Sequence, residues 1–506
     1  MNGRREYGDY QTPLKFAERV CRYLKENRHI APSAVIDPTC GVGNFLKCSL
    51  AFNASEYCGI EINPDYCSQC RKQLAGRNVQ IVNADFFSFS LKDLAKDQRQ
   101  ILVLGNPPWV TTSTLSALGS ANHPAKTNCK NLKGIEAATG EGSFDICEYI
   151  IWRLVEEFKG TKAVIAMLCK TSVARNIFKE LKRNAIPFSS CSLLSFDAAK
   201  VFGICASACL LVLELAEEGA SPDRCTVCPL DDPAAVQSCF GYADGRFYSR
   251  LETAAGTAAD FDGKSFLEWR QGVKHDCAKV MELTRCGAVF QNGLGDVVQI
   301  EEDIVYPLVK SSMFKEPVIR SFSKYVLVTQ KKPRESTDYL QAQAPRTWRY
   351  LNQHSRLFEG RKSAIYRGAP PFSMFGVGEY SFSRCKVGVS GFYKQPQFSV
   401  LCSDDARPVM TDDTSYFICL ESYDTAYTAM LMLNSAKVQK FLAGIAFLDA
   451  KRPYTKKVLQ RLDFGRMTSA LTLEDLAETE RRLRLPACIS LSMYNAFKSL
   501  PGMKTP

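Results

Sequence analysis

Four short apolar runs, each halted by polar residues, pattern the first part of the chain. They are Ala34-Val35-Ile36-Asp37, Cys58-Gly59-Ile60-Glu61-Ile62, Val79-Gln80-Ile81-Val82-Asn83-Ala84-Asp85-Phe86 and Ile101-Leu102-Val103-Leu104-Gly105-Asn106. Short, nearly continuous apolar runs of this kind read as buried strands. Ahead of them, Phe16, Val20 and Leu24 make one helical face, with Thr12 as the expected N-cap and Pro13 at the first helical position. Residues 162–168 (Lys-Ala-Val-Ile-Ala-Met-Leu) supply a fifth strand. Buried strands alternating with helical stretches predict an α/β fold with a mostly parallel, doubly wound sheet.

From about Leu251 the alternation stops. Short aromatic and β-branched runs broken by glycine, such as Phe375-Gly376-Val377-Gly378 and Lys386-Val387-Gly388-Val389-Ser390-Gly391-Phe392, predict a mixed, β-rich module. Residues 473–485 read as a charged amphipathic helix. We therefore expect two domains, 1–250 and 251–506, the second closing in helices.

With 506 residues, 46% hydrophobic and 23% charged, the composition is that of an ordinary globular protein with room for two or three cores. No apolar run reaches membrane-spanning length, and the opening Met1-Asn2-Gly3-Arg4-Arg5-Glu6 has no apolar leader, so a soluble cytoplasmic protein without a membrane partner is expected. The 21 cysteines are scattered, many within apolar runs, which suits a reducing compartment. The two CxxC pairs, Cys67/Cys70 and Cys225/Cys228, lie far apart with no histidine nearby, so no metal is called for.

Charge changes the picture more. The formal net charge is +11, and between Arg320 and Arg367 eleven Lys/Arg face three acids, a local net of +8. Tyr325, Tyr339, Trp348, Tyr350, Phe358 and Tyr366 are interleaved there. A solvated surface is the plain reading; a basic, aromatic-rich block favours a nucleic acid. Arg361 and Lys362 are its candidate phosphate contacts.

The candidate chemistry sits at the strand ends, where open α/β sheets bind ligands. Asn106-Pro107-Pro108-Trp109 ends the fourth run. Its two prolines stop the ladder and fix the backbone. An asparagine oxygen and a proline carbonyl can both accept protons of one planar amino group, and the tryptophan offers a stacking face. Asn-Pro-Pro is also ordinary turn chemistry. After the first run, Gly41 and Gly43 let the backbone turn sharply and approach a ligand. They form neither a GxGxxG fingerprint nor a triphosphate loop. Glu61, 24 residues after Asp37, is spaced to accept ribose hydroxyls. Any single strand-end acid is more often a helix cap; all of them in register is what a cap-only account does not explain, and it implies one crevice.

Taken together, Asp37-Pro38-Thr39-Cys40-Gly41-Val42-Gly43-Asn44-Phe45, Glu61, Asp85 and Asn106-Pro107-Pro108-Trp109 resemble the S-adenosylmethionine-dependent amino-methyltransferases. The motif order is similar to that of gamma-class DNA adenine-N6 methyltransferases of restriction-modification systems. The turn from Tyr7 to Pro13 resembles that class's N-terminal cofactor motif.

The resemblance implies a Rossmann-like class I sheet followed by a DNA target-recognition domain. It implies that Tyr10, Thr12, Asp37, Pro38, Gly41, Gly43, Glu61, Ile62, Asp85, Phe86 and Asn106 surround S-adenosylmethionine. Glu61 would take the ribose, and Asp85 and Phe86 the adenine moiety. Asn106, Pro107, Pro108 and Trp109 would act on an extruded base, against which Phe202 in Val201-Phe202-Gly203 would pack. The resemblance further implies base flipping in double-stranded DNA, with any cognate endonuclease a separate chain.

Gly272-Val273-Lys274 resembles the opening of such recognition domains, but His275-Asp276 stand where Thr-Gly usually follows. Leu433-Asn434-Ser435 and Lys451-Arg452-Pro453-Tyr454 are similar to their closing blocks. Residues 110–145, rich in Ser, Thr, Asn and Gly, are expected to form a mobile loop near the substrate. Two alternatives stay open: the same motif serves an RNA base or a protein glutamine amide, and a binding-only DNA specificity subunit would share the fold.

Overall fold

The computed structural model describes residues 10–91, 100–110, 145–254, 256–287, 289–405 and 407–503. In it the apolar runs become neighbouring strands. β1 (Ala34–Asp37), β2 (Glu56–Glu61), β3 (Gln80–Asn83), β4 (Ile101–Gly105) and β5 (Val164–Lys170) lie in the order β3-β2-β1-β4-β5, all pairings parallel. β1 and β4 are buried along their whole length, which is why they read as unbroken apolar runs rather than alternations. Helix α1 (Leu14–Arg22) precedes them, α2 (Asn44–Ser49), α3 (Pro64–Gln73) and α4 (Ile146–Phe158) lie between them, and α5 (Thr171–Arg183) follows β5. They bury single stripes; in α5 these are Val173, Ala174, Ile177, Phe178 and Leu181.

Three expectations change in detail. β3 stops at Asn83, leaving Asp85 and Phe86 in the turn beyond it, and β5 runs on to Lys170. Thr12 does not cap α1. The helix starts at Leu14 with Pro13 as its N-cap residue and no side-chain cap bond, while Thr12 is buried and its carbonyl accepts from Asn44 Nδ2 at 2.8 Å. Beyond β5 the sheet becomes mixed. β7 (Ser207–Leu215) runs antiparallel between β5 and β6 (Phe188–Asp197), and β8 (Arg224–Pro229), β9 (Ser238–Ala243) and β10 (Arg246–Tyr248) complete ten strands. α6 (Ala198–Phe202) links β6 to β7. The turn residues 7–9 and most of the serine-rich stretch, 111–144, lie outside the described residues.

The chain divides into two compact units, Met1–Leu251 and Glu252–Pro506. Among its described residues the second holds two sheets. One has five strands: β11 (Arg270–Gln271), β21 (Ser415–Leu420), β18 (Cys385–Ser390), β19 (Ser399–Leu401) and β16 (Val318–Ile319), in that order. The other runs β14 (Val297–Val298), β13 (Val289–Asn292), β12 (Glu282–Cys286), β17 (Lys324–Leu327), β15 (Val305–Val309) and β20 (Met410–Thr411). Helices Tyr423–Asn434, Ala436–Ile445, Leu473–Arg482 and Leu491–Lys498 follow. Every described cysteine is free, and no helix among the described residues is long and apolar enough to cross a membrane.

One side chain ties a strand of the five-stranded sheet to the segments beside it. Lys386 on β18 is buried, and its ammonium donates to the carbonyls of Ser381 (2.8 Å), Ser383 (2.9 Å) and Val409 (2.8 Å). Lys386→Met keeps the length and strips three carbonyls, two of them in buried bonds, of their donor. Unpaired buried acceptors cost about 1–3 kcal/mol each, and losing the desolvated charge offsets part of that, so a net destabilisation of roughly 3 kcal/mol is expected. A urea midpoint equal to that of the parent would contradict this.

Candidate functional site

Parallel neighbours β2, β1 and β4 bring Glu61, Asp37 and Asn106 to one edge of the sheet. Between β1 and α2 the chain turns through Gly41 and Gly43, both in the left-handed region (φ +54° and +89°) that side chains disfavour. The Glu61 carboxylate braces this turn. Its Oε2 accepts from Gly41 N (2.8 Å) and its Oε1 from Asn63 N (2.8 Å). Asp37 is fully buried and accepts from Thr39 N at 3.2 Å. Burial, with the charge of Glu61 adding to it, pushes its carboxyl up to about 8. Gly105 gives Asp37 its room: a Cβ there would stand 2.7 Å from Asp37 Oδ1. Buried Pro38 follows directly.

Asn106 is held by one end only. Its Nδ2 donates to the Tyr10 carbonyl at 2.7 Å. Only the amide nitrogen can face a carbonyl, so Oδ1 points away, and that oxygen is buried with no partner among the described residues. Pro107 and Pro108 then fix the backbone into Trp109, whose indole Nε1 donates to Leu168 O at 3.3 Å. The Trp109 ring lies 5.5 Å from Phe202 and 6.4 Å from Tyr10, and Phe202 lies 6.3 Å from Tyr10. Phe16 and Phe196 back Phe202 at 6.2 and 6.1 Å. The structure thus joins Tyr10, Asn106, Trp109 and Phe202 into an aromatic wall around one unpaired acceptor.

Asp85 and Phe86 are less directly engaged. Ala84 N donates to Glu61 O (3.1 Å), which sets Asp85 beside the end of β2. The exposed Asp85 carboxylate accepts from Phe87 N at 3.0 Å. Phe86 is buried under Arg153, whose guanidinium stands 5.0 Å from the ring centroid and donates to the Phe86 and Phe89 carbonyls (2.7 Å each). Ile62 is half exposed at the tip of the β2 turn.

Sequence reasoning missed two braces. Residues 10–12 run along the glycine turn as a strap: Gln11 Oε1 accepts from Val42 N (3.2 Å), beside the Thr12–Asn44 and Tyr10–Asn106 bonds. Lys170, closing β5, reaches Asp145 Oδ2 at 2.6 Å and the Trp109 carbonyl at 3.4 Å. A lysine at the end of a buried apolar strand was the available signal for the second; in the first, Tyr10 and Thr12 were expected at the cofactor from the N-terminal motif, and only the Gln11 bond, to a residue 31 positions away, had no signal.

In the second unit the basic block divides. Lys331, Lys332, Arg349, Arg356, Lys362 and Arg367 are exposed. Arg361 is not free for a phosphate. It is half-buried, stacks on Tyr366 at 3.7 Å and donates to the carbonyls of Ser373 (2.6 Å) and His275 (3.3 Å). The pocket here, of about 560 Å³, is lined by Phe358, Arg361, Lys362, Tyr366, Arg367 and Phe372 among others. Asp276, at the position where the resemblance leads one to expect glycine, adopts φ +50°, a conformation aspartate tolerates and glycine adopts freely.

No family model matches the chain. Over 466 residues it is 36% identical to the type II methyltransferase M.NspV of Nostoc sp., spanning 90% of this chain and 96% of that one. It is 23% identical over 245 residues to the modification methylase CviBIII of Paramecium bursaria Chlorella virus NC1A, spanning 47% of this chain and 58% of the relative. In fold it resembles the type IIL restriction-modification enzyme MmeI, solved in complex with DNA, with a TM-score of 0.52 at 13% identity over 99% of this chain and 77% of MmeI.

Proposed function

The chain belongs to the restriction-modification DNA methyltransferases, and we propose that within this family it methylates the N6 amino group of adenine in double-stranded DNA. The observation that carries the reading is the buried, unpartnered Asn106 Oδ1 inside an aromatic wall. Motif order, cofactor residues first and basic module last, supports adenine as the amine and 251–506 as the target-recognition domain.

The residues present fit the cofactor. Gly41 and Gly43 bring backbone close to the crevice, Glu61 and Asp85 offer carboxylates beyond adjacent strands, and exposed Ile62 offers an aliphatic face. Tyr10, Thr12, Asp37, Pro38, Phe86 and Asn106 complete the set. S-adenosylmethionine, when bound there, supplies an electrophilic methyl group.

Adenine's amino nitrogen is a poor nucleophile because its lone pair is delocalised into the ring. Asn106 Oδ1 would accept one of its protons and the Pro107 carbonyl the other, stabilising the positive charge that develops on nitrogen. The Tyr10 carbonyl fixes the amide so that the acceptor is already oriented. A base inside a duplex is out of reach, so it is extruded, with Trp109 stacking on it and Phe202 packing behind.

Two predictions belong here. Asp37 carries its proton near neutral pH, and a cationic ligand beside it favours the carboxylate. Cofactor affinity should therefore weaken as pH falls below about 8, with proton release on binding. Calorimetry in buffers of different protonation enthalpy measures this; no proton release, or the same pH dependence in Asp37→Asn, would contradict it. Neutralising Lys331 and Lys332 should lower DNA affinity and reduce the log–log salt slope by about 1 per lost phosphate contact, leaving turnover at saturating DNA nearly unchanged. An unaltered salt slope would place the DNA contact elsewhere.

The substrate class is tested by offering duplex DNA, RNA and protein in parallel with methyl-labelled S-adenosylmethionine. Label in the duplex supports the proposal; label only in RNA or protein overturns it.

A further inference from the structure

Phe392 and Tyr393 are 37% and 36% exposed, adjacent in sequence, and followed by exposed Lys394 and Gln395. Two neighbouring aromatic rings open to water call for a partner, and the loop that carries them is fixed at both ends. Gly391 N donates to Thr414 O (3.0 Å), Phe392 N to Ser390 Oγ (3.2 Å), buried Tyr454 Oη to Lys394 O (3.0 Å) and Gln439 Nε2 to Pro396 O (3.2 Å). Gly391 is required by closeness: a Cβ there would stand 2.9 Å from Thr414 O. The Arg452 guanidinium lies 5.2 Å from the Phe392 ring centroid and donates to Asp413 O at 3.3 Å.

The surroundings are cationic. Residues 391–401 and 450–458 contribute Lys394, Lys451, Arg452, Lys456 and Lys457, against Asp412, Asp413 and Asp449 in the adjoining chain; of these acids Asp412 accepts from the Thr414 and Ser415 hydroxyls and Asp413 stands 3.7 Å from Lys274. Of the cations, Lys456 pairs with Glu268 at 2.9 Å, whereas Lys394 and Lys451 have no ion pair among the described residues. A rigid tip with two planar rings and unneutralised cations is complementary to an opened base step, whose bases expose a face, flanked by phosphates. A protein partner would be met better by apolar area without the surplus positive charge.

We propose that Phe392 and Tyr393 form a base-stacking wedge of the second unit, with Lys394, Lys451 and Arg452 on adjoining phosphates. The proposal rests on DNA as the substrate but not on adenine as the methylated base. The faces of the two rings would supply affinity that salt does not screen, and the cations affinity that salt does.

The test is a fluorescence-anisotropy salt series with the full chain and a labelled duplex fragment taken from DNA that the wild-type chain methylates. The double substitution Phe392→Leu, Tyr393→Leu keeps apolar area and removes the planar faces. Affinity should fall about tenfold at every salt concentration with the slope unchanged, and Phe392→Trp, Tyr393→Trp should restore it. Lys394→Gln with Lys451→Gln should instead lower the slope by about 2. Wild-type affinity in the double leucine variant overturns the wedge, as does retained affinity with altered oligomeric state, which would assign the tip to a second copy of the chain. Nucleoside analysis of the methylated fragment reports on the adenine reading separately, since a fragment methylated on cytosine serves the binding test equally well.

Discussion

Asn106→Ala is expected to slow methyl transfer by about a hundredfold, with cofactor and DNA affinities staying within a few-fold of the parent. Removing one preorganised acceptor at a reacting centre typically costs ~3 kcal/mol of transition-state stabilisation. The structure gives the reason that the loss should be kinetic. Asn106 Oδ1 has no partner to lose among the described residues, so its removal does not unpick the fold. The single bond that is lost, Nδ2 to the Tyr10 carbonyl, serves to aim that oxygen. Asn106→Asp is the sharper companion, because a carboxylate oxygen facing the Tyr10 carbonyl would repel it and misdirect the remaining acceptor. Single-turnover transfer at saturating cofactor and DNA reads the chemical step directly. A native rate in Asn106→Ala would remove Asn106 from the chemistry.

Glu61→Ala should weaken cofactor binding about a hundredfold. The carboxylate does two things at once: it faces the crevice from the end of β2, and it holds Gly41 N and Asn63 N at 2.8 Å each. Hydrogen bonds to a charged group contribute about 1.5–3 kcal/mol each, so losing both loosens the glycine turn as well as removing an acceptor for the ribose. Glu61→Gln retains one accepting oxygen and should lose about tenfold. Calorimetric titration of the free protein measures both, and circular dichroism confirms that the ten-stranded sheet persists. Unchanged affinity in the alanine variant would displace the cofactor from this edge of the sheet.

Much of this site was legible because the sheet that carries it is parallel. A parallel strand is buried on both faces, so β1, β4 and β5 stand out as apolar runs, and their polar ends fall at one edge without further information. Asp37, Glu61 and Asn106 could be aligned on that logic alone. What lies beyond β5 could not be read the same way. Ala208 to Leu215 is as apolar as any parallel strand, yet β7 runs antiparallel between β5 and β6, and an apolar run carries no sign of its direction. Thr12 looked like a cap because the sequence shows a threonine before a proline; the carbonyl bond to Asn44 that draws it inward depends on a residue 32 positions away. Arg361 counted as one charge among eleven, and only its stacking on Tyr366 and its bonds to backbone carbonyls separate it from Lys362, which is exposed. Strands of two residues such as β11, β14, β16 and β20 have no periodicity to detect.

The central claim is the identity of the methylated atom. Duplex DNA incubated with the protein and methyl-labelled S-adenosylmethionine, digested to nucleosides and separated, gives that identity in one measurement. The arrangement of Asn106, Pro107, Trp109 and Phe202 predicts label in N6-methyldeoxyadenosine, abolished in Asn106→Ala. Label confined to N4-methyldeoxycytidine, or to no DNA nucleoside at all, would contradict it.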